Sequence, residues 1–436
     1  MTVSFLTLGC KVNQYESEAI SELLEKEGVV TRPFGEKTDA VVINTCAVTT
    51  EGERKARQMV RRAIAKNPSA FVAVTGCAAQ LHPDSFLSIP GVSFVCGNGK
   101  KTAIVEAILA SGEQNAFSAP LCPADSFSLD TFEPMTIVKS ERTRAYIKIE
   151  DGCDSHCAYC IIKKARAKVR SKPLDEVIAE AKALIASGYR EIVLTGIETS
   201  DYGKDIGTDL VTLLEALDTL DHAPRLRLGS LDPAMFRDDV IERLSRLDHL
   251  CHHFHLSMQS GCSKTLAAMR RKSNAEMMRS RVQKLRAAMP DVTFTADVIV
   301  GFPGETDEDF AETAAFLETV TLLDCHIFAF SPRPGTEAAE LPDQIPSEVK
   351  SSREKTLMAI QASATVRVLS DYVGKTVTVL VEEEKDGFSL GHTQNFIPVA
   401  IERFDNCHNT LVNVKITNQK NGKLFGERVS TPKERI

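Results

Sequence analysis

Apolar and polar positions along this chain change period twice, and the changes divide it into three parts. In residues 1–115, short apolar runs alternate with stretches of helical period. The runs are VSFLTLGC, AVVINTC, FVAVTGC and VSFVCGN, with helices expected near 16–26 and 53–65. Strands alternating with helices predict a parallel α/β sheet domain. Residues 116–138 are rich in Pro, Ser and Asp and read as a linker. Across 139–370, six strand-like runs recur with helices between them: AYIKIE, EIVLTG, RLRLGS, HFHLSMQ, TFTADVIVG and CHIFAFS. Over 174–187, Val177, Ile178, Ala181, Leu184 and Ile185 fall on one helical face, and Gly188 supplies the stop. Six β/α units predict an incomplete (β/α)6 barrel whose active residues gather at the C-terminal ends of its strands. Residues 371–436 hold VTVLVEEE, FSLGHT, FIPVAI, TLVNVKIT and KLFGERV, with turn signals at Asp386-Gly387 and Asn421-Gly422. They predict a small all-β barrel, a common platform for single-stranded RNA, although a purely structural appendage has the same pattern.

Composition narrows the class. The 436 residues are 43% hydrophobic and 25% charged, as in soluble globular proteins. No apolar run approaches the roughly 18 residues of a membrane span. The opening MTVSFLTLGC lacks the basic region and cleavage site of a secretory leader, so a cytoplasmic location and no membrane partner are expected. In that reducing compartment the 12 cysteines point to metal binding or catalysis rather than disulfides. A net charge of −7 argues against nonspecific coating of nucleic acid. Two basic runs stand out locally: Lys163, Lys164, Arg166, Lys168, Arg170 and Lys172, then Arg270, Arg271, Lys272, Arg279, Arg281, Lys284 and Arg286. Each is a candidate polyanion surface or simply a solvated face. In the last part, basic residues concentrate after Lys415.

The densest chemical signal is GCDSHCAYC, which spaces Cys153, Cys157 and Cys160 as C-x3-C-x2-C. Three thiolates bind three irons of a cubane cluster and leave the fourth open, whereas a closed structural cluster wants four. A zinc knuckle completed by His156 is the alternative. Cys10, Cys46 and Cys77 each follow a strand run, and in a parallel sheet those ends share one edge. His252, His253 and His255 surround one barrel strand, where polar contacts are commoner than a metal site. No Ser-His-Asp set, P-loop or paired-carboxylate motif is evident.

The C-x3-C-x2-C motif resembles the radical S-adenosylmethionine superfamily, whose cluster splits the cofactor into methionine and a 5′-deoxyadenosyl radical. The three parts in this order are similar to the methylthiotransferases, which join a cluster domain, a radical core and a TRAM-type RNA-binding barrel. TLGCKVNQYES, NTCAVT and VTGCAAQ match that family's N-terminal motifs, so the resemblance implies that Cys10, Cys46 and Cys77 hold a second [4Fe–4S] cluster. Cys96 matches no family ligand and reads as a core cysteine. TLGCKVNQYES, HFHLSMQSGC and TFTADVIVGFPGET look like the branch acting on N6-threonylcarbamoyladenosine at tRNA position 37, beside the anticodon. Branches acting on isopentenyladenosine or on a ribosomal protein aspartate differ in wording after the first glycine-cysteine pair.

The resemblance implies that one S-adenosylmethionine methylates a sulfur on the N-terminal cluster. A second is cleaved at the Cys153/Cys157/Cys160 cluster, and the methylthio group goes to C2 of the adenine. By analogy Gly196 and Glu198 face the methionine amino group, Ser257, Gln259 and Asp297 contact ribose or carboxylate, and Phe328 or Phe330 borders the cofactor's adenine. Partners implied are the tRNA anticodon stem-loop, a flavodoxin- or ferredoxin-like electron donor, and an unidentified sulfur donor. Two departures fall beside the site. Lys163-Lys164-Ala165-Arg166-Ala167 stands where the family carries a Pro-Tyr-Ala-Arg-Gly-like run, and Glu198 stands where histidine is frequent. A non-enzymatic iron–sulfur RNA sensor is the competing class. On this reading, removal of 371–436 weakens tRNA binding and spares uncoupled cofactor cleavage.

Overall fold

The computed structural model describes residues 1–113, 120–140 and 142–429. Five strands form the first sheet: β1 (Thr2–Thr7), β2 (Val30–Arg32), β3 (Ala40–Thr45), β4 (Phe71–Gly76) and β5 (Phe94–Val95). Their order is β2-β1-β3-β4-β5, with every neighbouring pair parallel. β3 and β4 are buried along their whole length, as central strands covered on both faces must be. Four of these strands follow from apolar runs. The fifth, β2, does not: it is a polar VTR that pairs at the edge with β1. Strand order reverses between β1 and β3, which opens a crevice at their carboxyl ends. The described part of the joining segment packs down rather than hanging free. Leu121 bridges Phe94 at the sheet edge, and Met135 and Ile137 bury with Tyr15 and Ala19. Residues 114–119 of the expected boundary lie outside the described residues.

The central part starts with β6 (Ala145–Lys148) and a hairpin of β7 (Glu150–Asp151) with β8 (Arg170–Ser171). β9 (Glu191–Thr195), β10 (Arg225–Leu228), β11 (Ser230–Leu231), β12 (His253–Gln259), β13 (Thr293–Val300) and β14 (Asp324–Ala329) follow. They pair as β10-β9-β6 and β11-β12-β13-β14. Only Gly229 separates β10 from β11, so the six expected strands make one open, parallel wall whose third strand is split at that glycine. The expected helix forms over Leu174–Ala186 and stops at Gly188, whose φ is +87°. Phe254, Leu256 and Met258, with Phe294, Ala296, Val298 and Val300, join the core beneath the helices. By alternation, His253, His255, Ser257 and Gln259, with Thr295 and Asp297, face the lumen. The gap beside β6 is flanked by the helix Lys11–Lys26, where Tyr15 Oη donates to Glu180 (2.9 Å) or Met135 O (2.6 Å).

A long helix, Ser347–Ser370, leads to β15 (Thr376–Lys385), β16 (Phe388–Thr393), β17 (Pro398–Glu402), β18 (Leu411–Lys420) and β19 (Lys423–Arg428). These close as β15-β16-β17-β19-β18, the small barrel expected from the sequence. Asp386-Gly387 and Asn421-Gly422 both have positive φ at each residue, as two-residue hairpin turns require. Residues 430–436, the end of the basic tail, lie outside the described residues.

This small barrel does more than hang from the helix. Its loop before β17 plugs the amino-terminal mouth of the central barrel. Phe396 stacks on His253 with ring centroids 4.6 Å apart, and the Arg227 guanidinium lies 4.9 Å above its ring. Asn395 Nδ2 donates to Asp291 O (2.8 Å), Arg227 donates to Gln394 O (3.1 Å), and Arg144 pairs with Glu382 (2.9 Å). Deleting 371–436 therefore removes Glu382 from Arg144 and the Gln394 carbonyl and Phe396 ring from Arg227, and opens the barrel mouth to solvent, which is destabilising. The expectation of intact cofactor cleavage changes accordingly. The truncated protein melts well below the full chain, and 5′-deoxyadenosine formation falls with it. Cleavage by the truncated protein at the full-length rate would refute this.

Candidate active site

Cys10, Cys46 and Cys77 follow β1, β3 and β4, so the sheet gathers them at the crevice. Cys10 and Cys77 lie close enough to act on Cys46, and Cys77 on Cys10. Gly76 (φ +97°) is needed there, because a Cβ would lie 2.3 Å from Thr45 O. Asn13 ties the strand ends together, its Nδ2 donating to Leu8 O (2.8 Å) and Thr45 O (3.0 Å). Its Oδ1 accepts from Arg166 Nη2 at 2.8 Å.

Arg166 is fully buried and links the two halves of the site. Nε lies 3.3 Å from Cys77 Sγ, and Nη1 lies 2.6 Å from Glu16 and 3.0 Å from Asp151. Lys101 and Lys148 also pair with Glu16, and Lys148 and Arg170 with Asp151. Four cations thus face two carboxylates in one dry network. The surplus positive charge suits a neighbouring group of thiolates. Glu16 is held well below the usual carboxylate range, because Arg166, Lys101 and Lys148 outweigh the upward push of burial.

The second triplet sits on the loop clasped by the β7–β8 hairpin. Cys153 N donates to Ala167 O (3.0 Å), Ser155 N to Cys153 Sγ (3.4 Å) and Arg271 Nη1 to Cys157 Sγ (3.4 Å). Burial pushes Cys153 up to about 12, and Cys46 and Cys160 to about 11. These thiols become thiolates by binding metal, not by ionising alone. Among the described residues, only His255, Asp297 and His326 bring three donor atoms within 4.8 Å of one another. Neither cysteine triplet is drawn so tightly, so neither has the spacing of a single tetrahedral zinc with bonds near 2.3 Å. His156, the proposed fourth zinc ligand, instead meets Lys163 Nζ at 2.7 Å. Each triplet offers the three thiols that an open cluster needs.

Ala167 has φ +55° and ψ −149°, a conformation that strains any residue with a Cβ. The family-like glycine would relax it. Ala167→Gly is expected to stabilise the protein by about 1 kcal/mol, read as a higher melting temperature. An unchanged or lower melting temperature would contradict that account.

The cofactor-facing residues divide into two groups. Gly196 ends β9 so close to Glu150 that a Cβ would lie 2.4 Å from Oε2. Glu198 N donates to the same oxygen (2.9 Å), while Glu150 Oε1 is buried without a partner among the described residues. Burial raises Glu198 to about 7, with Asp232 and Asp201 adding to the rise and Ser200 opposing it. Ser257 contributes its carbonyl to Arg271 Nη2 (2.7 Å), and Asp232 pairs with the same guanidinium (3.0 Å). Gln259 closes β12 with φ +69°. Asp297 stands apart, three residues short of the end of β13, between His255 and His326. Phe330 is buried against Phe302, whereas Phe328 is half exposed. The histidine trio disperses, His252 to Asp291, His253 to Thr295 and Phe396, and His255 to Asp297, as polar contacts rather than a metal site of their own. Cys96 is a buried core thiol bonded to Thr75.

The basic runs need correction. Arg166, Arg170 and Lys172 are buried in ion pairs, Lys163 turns to His156, and Lys164 donates to Gly335 O (2.6 Å). Arg271 holds Cys157, Arg270 pairs with Glu337, and Arg281 and Lys284 share Asp238. Part of this charge is structural, while Lys164, Lys168, Arg270, Lys272, Arg279 and Lys284 remain exposed. Sequence reasoning missed Asn13, Glu16, Glu150, Asp232 and Arg271 as site residues. Asn13 and Glu16 lay in a motif already singled out, but nothing along the chain marked their partners.

Residues 147–317 match the Radical SAM superfamily, and residues 2–97 match the Uncharacterized protein family UPF0004. The threonylcarbamoyladenosine tRNA methylthiotransferase MtaB of Bacillus subtilis is 38% identical over 95% of this chain and 93% of its own length. The chain belongs to the radical S-adenosylmethionine methylthiotransferase family. The MtaB of Thermotoga maritima is 40% identical across 87% of this methylthiotransferase and 86% of its own length. A tRNA-2-methylthio-N(6)-dimethylallyladenosine synthase of Nitratidesulfovibrio vulgaris is 34% identical across 98% of both. Among solved structures, the radical S-adenosylmethionine methyltransferase TsrM from Kitasatospora setae shares the fold. Its TM-score is 0.59 at 14% identity, over 78% of this chain and 75% of that one. A methylthiotransferase of this family requires S-adenosylmethionine, and the orphaned Glu150 Oε1 beside Glu198 fits its ammonium group.

Proposed function

We propose that this enzyme acts on tRNA and adds a methylthio group to C2 of N6-threonylcarbamoyladenosine at position 37, beside the anticodon. Its two three-cysteine sites, joined through Arg166, carry the reading, because a sulfur carrier and a radical source must serve one substrate atom. The names of the relatives from B. subtilis and T. maritima support the threonylcarbamoyl substrate. Two [4Fe–4S] clusters and S-adenosylmethionine supply the sulfur, the methyl group and the carbon radical. The protein's own residues do the placing. Cys10, Cys46 and Cys77 hold one cluster, with Asn13 and Arg166 fixing their strand ends. Cys153, Cys157 and Cys160 hold the other, with Arg271 donating to Cys157. Glu198 and Glu150 receive the methionine ammonium, with Ser257 and Gln259 at the next strand end. A flavodoxin- or ferredoxin-like protein delivers electrons, and a separate donor renews the sulfur.

The dimethylallyl relative, 34% identical over 98% of the chain, supports a second reading, with isopentenyladenosine as the substrate. Mass spectrometry of tRNA nucleosides from a deletion strain separates the two. Loss of 2-methylthio-N6-threonylcarbamoyladenosine, with its precursor accumulating, is expected. Loss of the isopentenyl derivative alone would establish the second reading instead.

Glu198 also sets a pH dependence. Its folded-state pKa is raised to about 7, so it is neutral below that pH and a carboxylate above it. Affinity for S-adenosylmethionine therefore rises as pH climbs through about 7. Equilibrium binding to the cluster-loaded enzyme tests this, and Glu198→Gln should flatten the curve. A flat curve in the unsubstituted protein would remove Glu198 from the cofactor site.

A further inference from the structure

The lumen holds charged groups that neither cluster nor cofactor uses. Asp297 lies between two imidazoles, 3.2 Å from His255 Nε2 and 3.1 Å from His326 Nδ1. His255 Nδ1 is taken by Thr295 Oγ1 at 2.8 Å. Both His255 nitrogens are thus committed, while His326 Nε2 has no partner among the described residues. The His326 side chain is 59% exposed on the lumen face of β14. Its hydrogen bond to Asp297 raises the His326 pKa and favours the doubly protonated ring, in which Nε2 donates.

Lys11 enters the same space from the opposite wall. It directly follows Cys10, and the charges acting on it include Arg144, Asp297 and Arg227 from the barrel. Lys11 is exposed to solvent. It makes no hydrogen bond or ion pair among the described residues. An ammonium whose neighbours include two guanidinium groups is repelled by them, which favours an arriving anion. A divalent cation at His255, Asp297 and His326 would break their mutual hydrogen bonds and face Lys11, so the chemistry favours an anion.

We propose that Lys11 and His326 bind the carboxylate of the side chain on N6 of the target adenosine, and so select threonylcarbamoyladenosine over neutral substituents. The inference rests on the reading given under Proposed function and adds its specificity contact. C2 and C6 of adenine flank a single ring nitrogen. A base offering C2 to the cluster at Cys10 therefore keeps its N6 substituent within a side chain's length of that cysteine. Lys11 occupies that position. A carboxylate would accept charge-assisted hydrogen bonds from both donors. A neutral or apolar substituent would leave the ammonium unpaired in the lumen.

The test uses the cluster-loaded enzyme and three anticodon stem-loop RNAs. One carries threonylcarbamoyladenosine, one its threonyl primary amide, and one dimethylallyladenosine. Methylthio formation gives kcat/KM for each RNA, and fluorescence anisotropy gives its Kd without turnover. The unsubstituted enzyme should prefer acid to amide by about 30-fold. Lys11→Met and His326→Gln should each reduce the ratio to about threefold or less, in Kd as well as in kcat/KM. Lys11→Arg should restore most of it. Equal use of acid and amide by the unsubstituted enzyme would overturn the carboxylate contact and leave the substrate reading standing. An undiminished ratio in both variants would likewise remove these two residues. Preference for the dimethylallyl RNA over both others would overturn the substrate reading and the inference with it.

Discussion

Alanine at Cys153, Cys157 and Cys160 together abolishes reductive cleavage of S-adenosylmethionine and leaves the N-terminal cluster in place. The three thiols sit on one loop held by the β7–β8 hairpin, and Asp154 and His156 between them are exposed. Removing them empties a rim site without opening the core. The N-terminal triplet draws on different strands and on the Arg166 network, so it still loads iron. Anaerobic reconstitution, iron analysis and assay of 5′-deoxyadenosine would establish this. Continued 5′-deoxyadenosine formation by the triple variant would show that another group holds the cleaving cluster. The reciprocal variant, alanine at Cys10, Cys46 and Cys77, should still cleave the cofactor yet form no methylthio product. Full product from that variant would exclude the triplet as the sulfur carrier.

Arg166→Met is expected to be the most damaging single substitution outside the cysteines. The guanidinium satisfies Asn13, Glu16, Asp151 and Cys77 at once, at zero exposure. Breaking a buried ionic network by removing one partner costs about 3–5 kcal/mol. Asn13 loses the anchor that helps it brace Leu8 and Thr45 beside the first two cysteines. A lower melting temperature and loss of iron from the N-terminal site should therefore appear together. Arg166→Lys should recover little, because a single ammonium cannot reproduce the fork that spans four acceptors. Normal melting and full iron content in Arg166→Met would show that Lys101, Lys148 and Arg170 suffice.

Features written in short, local stretches were legible in the sequence. Alternating strand and helix periods predicted the parallel sheet and the six-strand barrel, and paired turn residues predicted two hairpins of the small barrel. The three cysteines within GCDSHCAYC declared an open cluster because their spacing is local and the chemistry needs three ligands rather than four. Cys10, Cys46 and Cys77 were marked by the resemblance of their motifs, and the parallel strands place them at one edge of the sheet. Short edge pairing was not legible: β2 is three residues, Val30–Arg32, that only β1 makes into a strand.

Charge was the least readable property. Lys163–Lys172 is a basic run on paper, but its partners Glu16, Asp151 and Glu180 lie on other elements, Glu16 being 150 residues from Arg166. Whether a cation faces solvent, a carboxylate or a thiolate depends on what the fold brings beside it, and no periodicity encodes that. The same holds for His255, Asp297 and His326, which meet on three neighbouring strands of the barrel, and for Phe396, which reaches the central barrel from the last part of the chain. Residue spacing determined the elements and singled out the Cys153/Cys157/Cys160 triplet as a candidate cluster site, because both arise from short-range geometry. Tertiary structure decided which charges are buried, which stay unpaired and which parts depend on one another, because desolvation and pairing are set by neighbours far apart in sequence.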